Sequence, residues 1–322
     1  MSIIEQAYKR LEELSRAGIS VPVDGLTDVP NSDPRGRRLQ SSTVPDLAPL
    51  PPSGAPIVDM LRHRASHENA RAPSETAKRV SRAVELDLTH LSEQGYLTSP
   101  LSDRRLVDEF RNITSQVLRN SQIVAEKGMR RGNIVLVTSS VPGEGKTFVS
   151  LNLALSVAMH LDHSALLVDA DVLRPSMLER VGLGPQPGLI DLLTREDVQP
   201  PDVLLRTNLP KFSMLSTGTG VDRGAELLSS AAMDSLLSDL AERYHDRVIV
   251  VDSPPLLVST VSRSLAARVG QVLMVVAAEQ TKRTAVSQGF AALESCPMVS
   301  VVLNKSRLST RTGEYGYYDQ YR

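Results

Sequence analysis

A chain of 322 residues can hold one large domain, or one domain with extensions. With 41% hydrophobic residues, 23% charged residues and a formal net charge of −1, it carries no electrostatic footprint for nucleic acid, and no nucleic-acid partner is expected. Aromatics are only 3% and tryptophan is absent, so the core must come from Leu, Val, Ile and Ala, while the single cysteine, Cys296, excludes an internal disulfide and fits a reducing compartment.

Residues 1–20 open the chain with an amphipathic helix predicted over 2–18. Ser2 and Glu5 form a capping box, and Ile3, Ile4, Ala7, Tyr8, Leu11 and Leu14 share one face before Gly18 ends it. So short a helix is marginal alone in water, and its apolar face needs a docking place, either this protein's own core or a partner. Residues 21–83 read as a disordered tether, with prolines at 22, 30, 34, 45, 49, 51, 52 and 56 and little periodicity. No apolar run reaches the roughly 20 residues of a membrane span. MSIIEQAYKR carries charge where a signal peptide has its apolar core. The expected location is therefore cytoplasmic, peripheral at the inner membrane only through a partner.

The folded domain is placed at 84–304. Val84 to Leu88 alternates like a short strand, and Gly95 and Pro100 punctuate the chain beyond it. A helix is predicted over 102–120 with Leu106, Phe110, Ile113, Val117 and Leu118 on its apolar stripe. Strands are then predicted at 134–138, 165–168, 212–215, 248–251, 272–276 and 299–303. Helices fall between them at 146–160, 225–243, 258–268 and 282–294. This alternation predicts an α/β fold with a doubly wound, mostly parallel sheet. Residues 305–322 are polar, rich in Gly and Tyr, and read as a flexible tail.

The most specific segment is VTSSVPGEGKT, Val137 to Thr147. A β-branched strand enters a Gly-rich turn that ends in Gly145-Lys146-Thr147 and passes straight into a helix, the context a phosphate-binding loop requires. Backbone N–H groups over Gly143 to Lys146 can wrap a polyphosphate at a helix N-terminus. Pro142, Gly143, Glu144, Gly145, Lys146, Thr147 and Phe148 are thus the expected ATP-binding residues of this stretch. Lys146 would reach the β and γ phosphates, with the Thr147 hydroxyl on Mg²⁺. Ser140 stands where the loop pattern has its first Gly.

Two apolar strands end in carboxylates: LLV leads into Asp169-Ala-Asp171, and VIVV leads into Asp252-Ser-Pro-Pro255. The carboxyl ends of strands are where open α/β sheets bind ligands, so the three Asp can converge on the loop. Mg²⁺ takes hard oxygen ligands, here Thr147, Asp171 and Asp252, and a hydroxyl nucleophile needs a proton acceptor near the γ phosphate. Arg174 lies close behind in sequence, with two readings: a neutraliser of the carboxylates, or a phosphate contact. Of the seven tyrosines, Tyr315, Tyr317, Tyr318 and Tyr321 lie in the last eight residues, in a segment too polar and Gly-broken for a core strand. They are either an adhesive aromatic tail or a set of phosphate acceptors.

Taken together, SSVPGEGKT, LLVDAD with Arg174-Pro175, VIVVDSPP and the tyrosine cluster resemble the bacterial tyrosine kinases. These are P-loop enzymes of polysaccharide-export systems with a MinD/ParA-like fold. The opening MSIIEQAYKRLEEL resembles the exosortase-associated autokinase branch. The likeness covers about residues 95–322 and the first 18. It implies an ATP- and Mg²⁺-dependent protein-tyrosine phosphotransferase that phosphorylates Tyr315, Tyr317, Tyr318 and Tyr321 between subunits and regulates exopolysaccharide synthesis or export. Lys146, Asp169, Asp171 and Asp252 would be its catalytic residues, with Asp169 activating the tyrosine hydroxyl. Asn304 would contact adenine. The implied partners are further copies of the chain and a membrane-anchored chain-length regulator on a separate polypeptide. Two departures stand out: Leu173 replaces a common Arg, and the ring-forming Glu-x-x-Arg-x-x-Arg helix is matched only by Asp108-Glu-Phe-Arg111-Asn-Ile-Thr114. The alternative function is a positioning ATPase of the MinD/ParA kind. That family's loop has an extra Lys where this chain has Val141, and has no need of a tyrosine cluster.

Overall fold

The computed structural model describes residues 81–306, so the N-terminal helix, the tether and the four C-terminal tyrosines lie outside the described residues. Eight strands form one sheet: β1 (Arg82–Val84), β2 (Ile134–Ser139), β3 (Ser164–Asp169), β4 (Leu205–Thr207), β5 (Phe212–Leu215), β6 (Arg247–Asp252), β7 (Gln271–Ala277) and β8 (Val299–Asn304). Their order is β1-β4-β5-β3-β6-β2-β7-β8, and all neighbouring pairs are parallel except β4 with β5. The doubly wound, mostly parallel sheet is as expected.

Burial on both faces explains why the central strands are continuous apolar runs. Along β2, Val135 and Val137 face one hydrophobic layer while Ile134 and Leu136 face the other. The same alternation runs along β3, β6 and β7. On the first face lie α1 (Leu88–Glu93), α2 (Arg104–Glu126) and α3 (Lys146–Met159). α2 buries Val107, Phe110, Thr114, Val117 and Val124, the spacing of one helical stripe. α3 lies between α2 and the sheet and is buried on nearly every side, with Leu151, Leu153 and Ala154 at 0% exposure. On the opposite face are α7 (Gly224–Leu228), α8 (Ala231–Arg243), α9 (Thr260–Ala266) and α10 (Arg283–Ala291). Three short helices, α4 (Met177–Arg180), α5 (Leu189–Thr194) and α6 (Pro200–Val203), fill the connection from β3 to β4.

Three expectations about element bounds need correction, and the incomplete ring motif gains a structural setting. The strand predicted at Val84–Leu88 ends at Val84, because the Asp87 carboxylate accepts the Thr89 and His90 N–H groups and starts α1. Leu86 instead pairs its backbone with the Asn208 amide at 3.0 and 3.1 Å. The helix predicted over 225–243 is two helices: Ser230 caps α8, and the Arg268 guanidinium donates to the Ser229 and Ser230 carbonyls at the break. In the incomplete ring motif, Asp108 and Arg111 are exposed and pair with each other, but Thr114 is buried and donates to Ser156 on α3. Its position belongs to the α2–α3 packing. The helix of 102–120 continues to Glu126.

The core position of α3 gives a direct test. Leu151→Ala should cost ~2–5 kcal/mol of unfolding free energy in urea titrations, because the cavity cannot collapse between helix and sheet. Leu161→Ala, at 85% exposure, should stay within ~0.5 kcal/mol.

Candidate active site

β2 is buried over all six residues and ends at Ser139, where the chain turns through 140–145 into α3. Two glycines make the turn possible, with left-handed backbone at Gly143 (φ 84°) and Gly145 (φ 95°). At Gly145 a Cβ would also run into the Asn304 side-chain amide. Ser140 is accommodated by Gly289 in α10, where a Cβ would lie 2.6 Å from the serine Oγ.

Glu144 is 2% exposed. Its carboxylate accepts the Val141 N–H at 2.7 Å, the Ala277 N–H at 3.3 Å and the Thr281 hydroxyl, so the side chain ties the loop to the end of β7. Asn304, at the end of β8, donates its amide to the Glu144 carbonyl at 2.8 Å.

Four charged groups gather at the mouth of α3. Lys146 Nζ lies 2.5 Å from Asp171 Oδ2. Asp171 is held in turn: its N–H donates to Asp169 Oδ1, and its Oδ1 accepts the Arg174 N–H, both at 3.1 Å. The parallel register of β3 and β6 sets Asp169 directly beside Asp252, and β6 also pairs with β2 so that Val137 is opposite Asp252. Burial pushes the Asp169 carboxyl up to about 7, and the neighbouring Asp252 charge adds to the rise. Burial raises Asp252 as well, opposed by the Lys146 ammonium and by hydroxyls of Thr147 and Ser150, the latter at 3.0 Å. These carboxylates are costly to ionise without a cation, the condition under which pKa perturbation marks a working site.

Above them opens a cavity of about 450 Å³, the size class of nucleotide and cofactor pockets. The loop contributes Pro142, Gly143, Gly145, Lys146, Thr147 and Phe148 to its walls. Asp171 and Arg174 line it from the β3 side, whereas Asp169 and Asp252 sit behind it at 2% and 1% exposure. Arg174 is exposed, which removes the reading of it as a buried neutraliser. Phe148 is anchored by the α1–α2 region, its ring 5.4 Å from Tyr96 and 6.4 Å from Phe110.

No group of three or more His, Cys, Asp or Glu among the described residues forms a metal cage. The Thr147 hydroxyl with Asp171 and Asp252 is instead the donor set that suits Mg²⁺, which uses one or two carboxylates and takes its other ligands from water and phosphate. The structure adds cavity residues to which the sequence assigns no site role: Leu173, Ser176, Arg180, Pro255, Val258 and Lys305. Arg180 sits on the four-residue α4, too short for periodicity to reveal, and reaches Tyr96 Oη at 3.4 Å. Lys305 is the residue directly after Asn304, so the strand-end run itself carried a usable signal. Leu173, the departure from the family pattern, is 49% exposed on the cavity wall.

No family model matches the chain. EpsB of Ralstonia nicotianae, provisionally named a tyrosine-protein kinase, is 31% identical over 245 residues, which is 74% of this chain and 31% of EpsB. The chain thus spans about a third of the length of that curated relative. Among solved structures, the VpsO kinase domain is 31% identical with a TM-score of 0.51, covering 63% of this chain and 98% of that domain. The kinase domain of the Escherichia coli tyrosine kinase ETK is 27% identical with a TM-score of 0.50, covering 57% of this chain and 73% of its own. With the phosphate loop, the two acidic strand ends and a kinase domain matched along nearly its whole length, the chain belongs to the bacterial tyrosine kinase family.

Proposed function

We propose that this chain is an ATP-dependent protein-tyrosine kinase that phosphorylates its own cluster of Tyr315, Tyr317, Tyr318 and Tyr321 between subunits, acting in exopolysaccharide synthesis or export. The observation that carries the proposal is the pairing of Lys146 with Asp171 at the mouth of a phosphate loop, directly above two buried strand-end carboxylates. The names of EpsB and ETK support the reaction class.

Each residue of the site has a separate task. N–H groups of the loop and the start of α3 hold the phosphates, and Lys146 exchanges its Asp171 partner for the β and γ phosphate oxygens. Thr147, Asp171 and Asp252 would hold Mg²⁺, which would supply positive charge against the transferring phosphoryl group. Asp169 takes the tyrosine proton, since a carboxyl pushed up to about 7 matches a base working near neutrality. Arg174 contacts phosphate from the cavity rim. The chain then works at the cytoplasmic face of the inner membrane, held there by a membrane-anchored chain-length regulator on another polypeptide. Among the described residues no helix is long and apolar enough to cross a membrane. A positioning ATPase is the weaker reading, because Val141 replaces the extra loop lysine of that group and the tyrosine cluster would be without purpose.

Full-length protein given Mg-ATP should gain phosphate in the peptide spanning 315–321, read by mass spectrometry. Lys146→Met should abolish the gain; a loss of only about tenfold, ~1.4 kcal/mol, would remove Lys146 as a principal phosphate contact. The labelling rate should climb with pH as Asp169 ionises and level off below about 7, because the carboxyl must lose its proton to act as base and Mg²⁺ on Asp171 and Asp252 would favour the ionised form. A flat profile there would remove Asp169 as the base.

Stability should move the other way. The native Asp169 carboxyl holds its proton far above the ordinary 3.8, so folding stability falls as pH rises from that value through about 7. Asp169→Asn removes this loss. Its thermal midpoint should exceed that of the parent above neutrality and lie close to it in mild acid, as read by calorimetry across pH.

A further inference from the structure

β8 ends at Asn304, and Lys305, the next residue, lies at the rim of the phosphate loop. There two consecutive residues donate to two consecutive loop carbonyls. Lys305 Nζ lies 2.6 Å from the Gly143 carbonyl oxygen, and Asn304 Nδ2 lies 2.8 Å from that of Glu144. Lys305 adopts left-handed backbone (φ 59°), a conformation that side-chain-bearing residues avoid unless their surroundings impose it. It also lines the nucleotide cavity.

The peptide bonds here are trans. In a trans peptide the carbonyl and the next residue's N–H point to opposite sides of the chain. Fixing the Gly143 and Glu144 carbonyls toward β8 therefore fixes the N–H groups of Glu144 and Gly145 in the opposite sense, toward the phosphate cradle. The glycines at 143 and 145 would otherwise leave those peptide planes free to rotate. The Glu144 carboxylate already holds the other side of the turn through Val141, Ala277 and Thr281.

We propose that Asn304 and Lys305 are positioning residues that lock the peptide planes of the phosphate cradle, and so join the root of the tyrosine-bearing segment to phosphate affinity. This inference rests on the nucleotide reading of the site. It gives Asn304 a task in the loop that is independent of any contact with adenine, and it gives Lys305 a parallel role on the neighbouring loop carbonyl.

The test compares Mg-ATP with Mg-tripolyphosphate, which has no base, by titration calorimetry on the full-length chain. Asn304→Ala and Lys305→Met should each weaken both ligands by the same factor, about three- to tenfold, the worth of one hydrogen bond held in the bound geometry. Lys305→Arg, which keeps a cation within reach of the Gly143 carbonyl, should stay within about twofold of the parent. The thermal midpoint without ligand should be unchanged for the Lys305 variants, whose side chain is exposed, and these carry the test if Asn304→Ala folds poorly. If Asn304→Ala binds tripolyphosphate as the parent does and loses only ATP, the residue serves the base and the inference falls. Unchanged binding in Lys305→Met overturns it equally. Failure of the parent chain to bind Mg-ATP would instead overturn the nucleotide reading, and this inference with it.

Discussion

In a parallel sheet neighbouring strands present their carboxyl ends along one edge, and the ladder register decides which side chains meet there. Here the register places Asp169 opposite Asp252 on β3 and β6, with β2 and its phosphate loop on the far side of β6. Two carboxylates a strand spacing apart, both buried, repel each other and resist ionisation. The site then needs cations. Lys146 is supplied by the first residue of α3, and Asp171 turns back on the Asp169 side chain to meet it. Shifting either strand by one residue would send one of the two carboxylates to the opposite face of the sheet and dissolve the arrangement.

The loop shows how such a site is held. Its glycines allow the backbone to turn closely around a polyphosphate, but the same freedom would blur the cradle without external bonds. Those bonds come from the β7 and β8 side: Glu144 reaches Ala277 and Thr281, while Asn304 and Lys305 reach back to the loop carbonyls. On the other side Phe148 packs against Tyr96 and Phe110, so the α1–α2 region also meets the loop. Few aromatic residues are present in the chain, and three of them are spent here.

Much of this was legible in the sequence for a physical reason. Strands buried on both faces are unbroken apolar runs, so β2, β3, β6 and β7 stood out, and β5 and the edge strand β8 carry enough Val, Leu, Met and Phe to be read even though Val301 and Leu303 are exposed. β1 and β4 are three residues each, too short for any period, and β1 was displaced because Asp87 reads locally as part of an alternation while acting as a helix cap. The break between α7 and α8 was hidden because Arg268, which fixes it, is 38 residues away from Ser230. At the site, Lys146, Thr147 and Asp171 announce themselves through local context, and the cavity brings them together. Arg180 and Val258 join them only through the topology of the sheet, which no local pattern encodes, whereas Pro255 and Lys305 sit in the strand-end runs that carry Asp252 and Asn304.

The central claim is that the charged cluster directs a phosphoryl group to tyrosine rather than to water. Full-length chain supplied with ATP labelled in its terminal phosphate, with Mg²⁺, allows the label to be partitioned between phosphotyrosine and free phosphate over the first turnovers. Most of the label should reside on tyrosine, and changing Tyr315, Tyr317, Tyr318 and Tyr321 to Phe should remove it. Label released mainly as free phosphate, unaffected by those four changes, would contradict the claim.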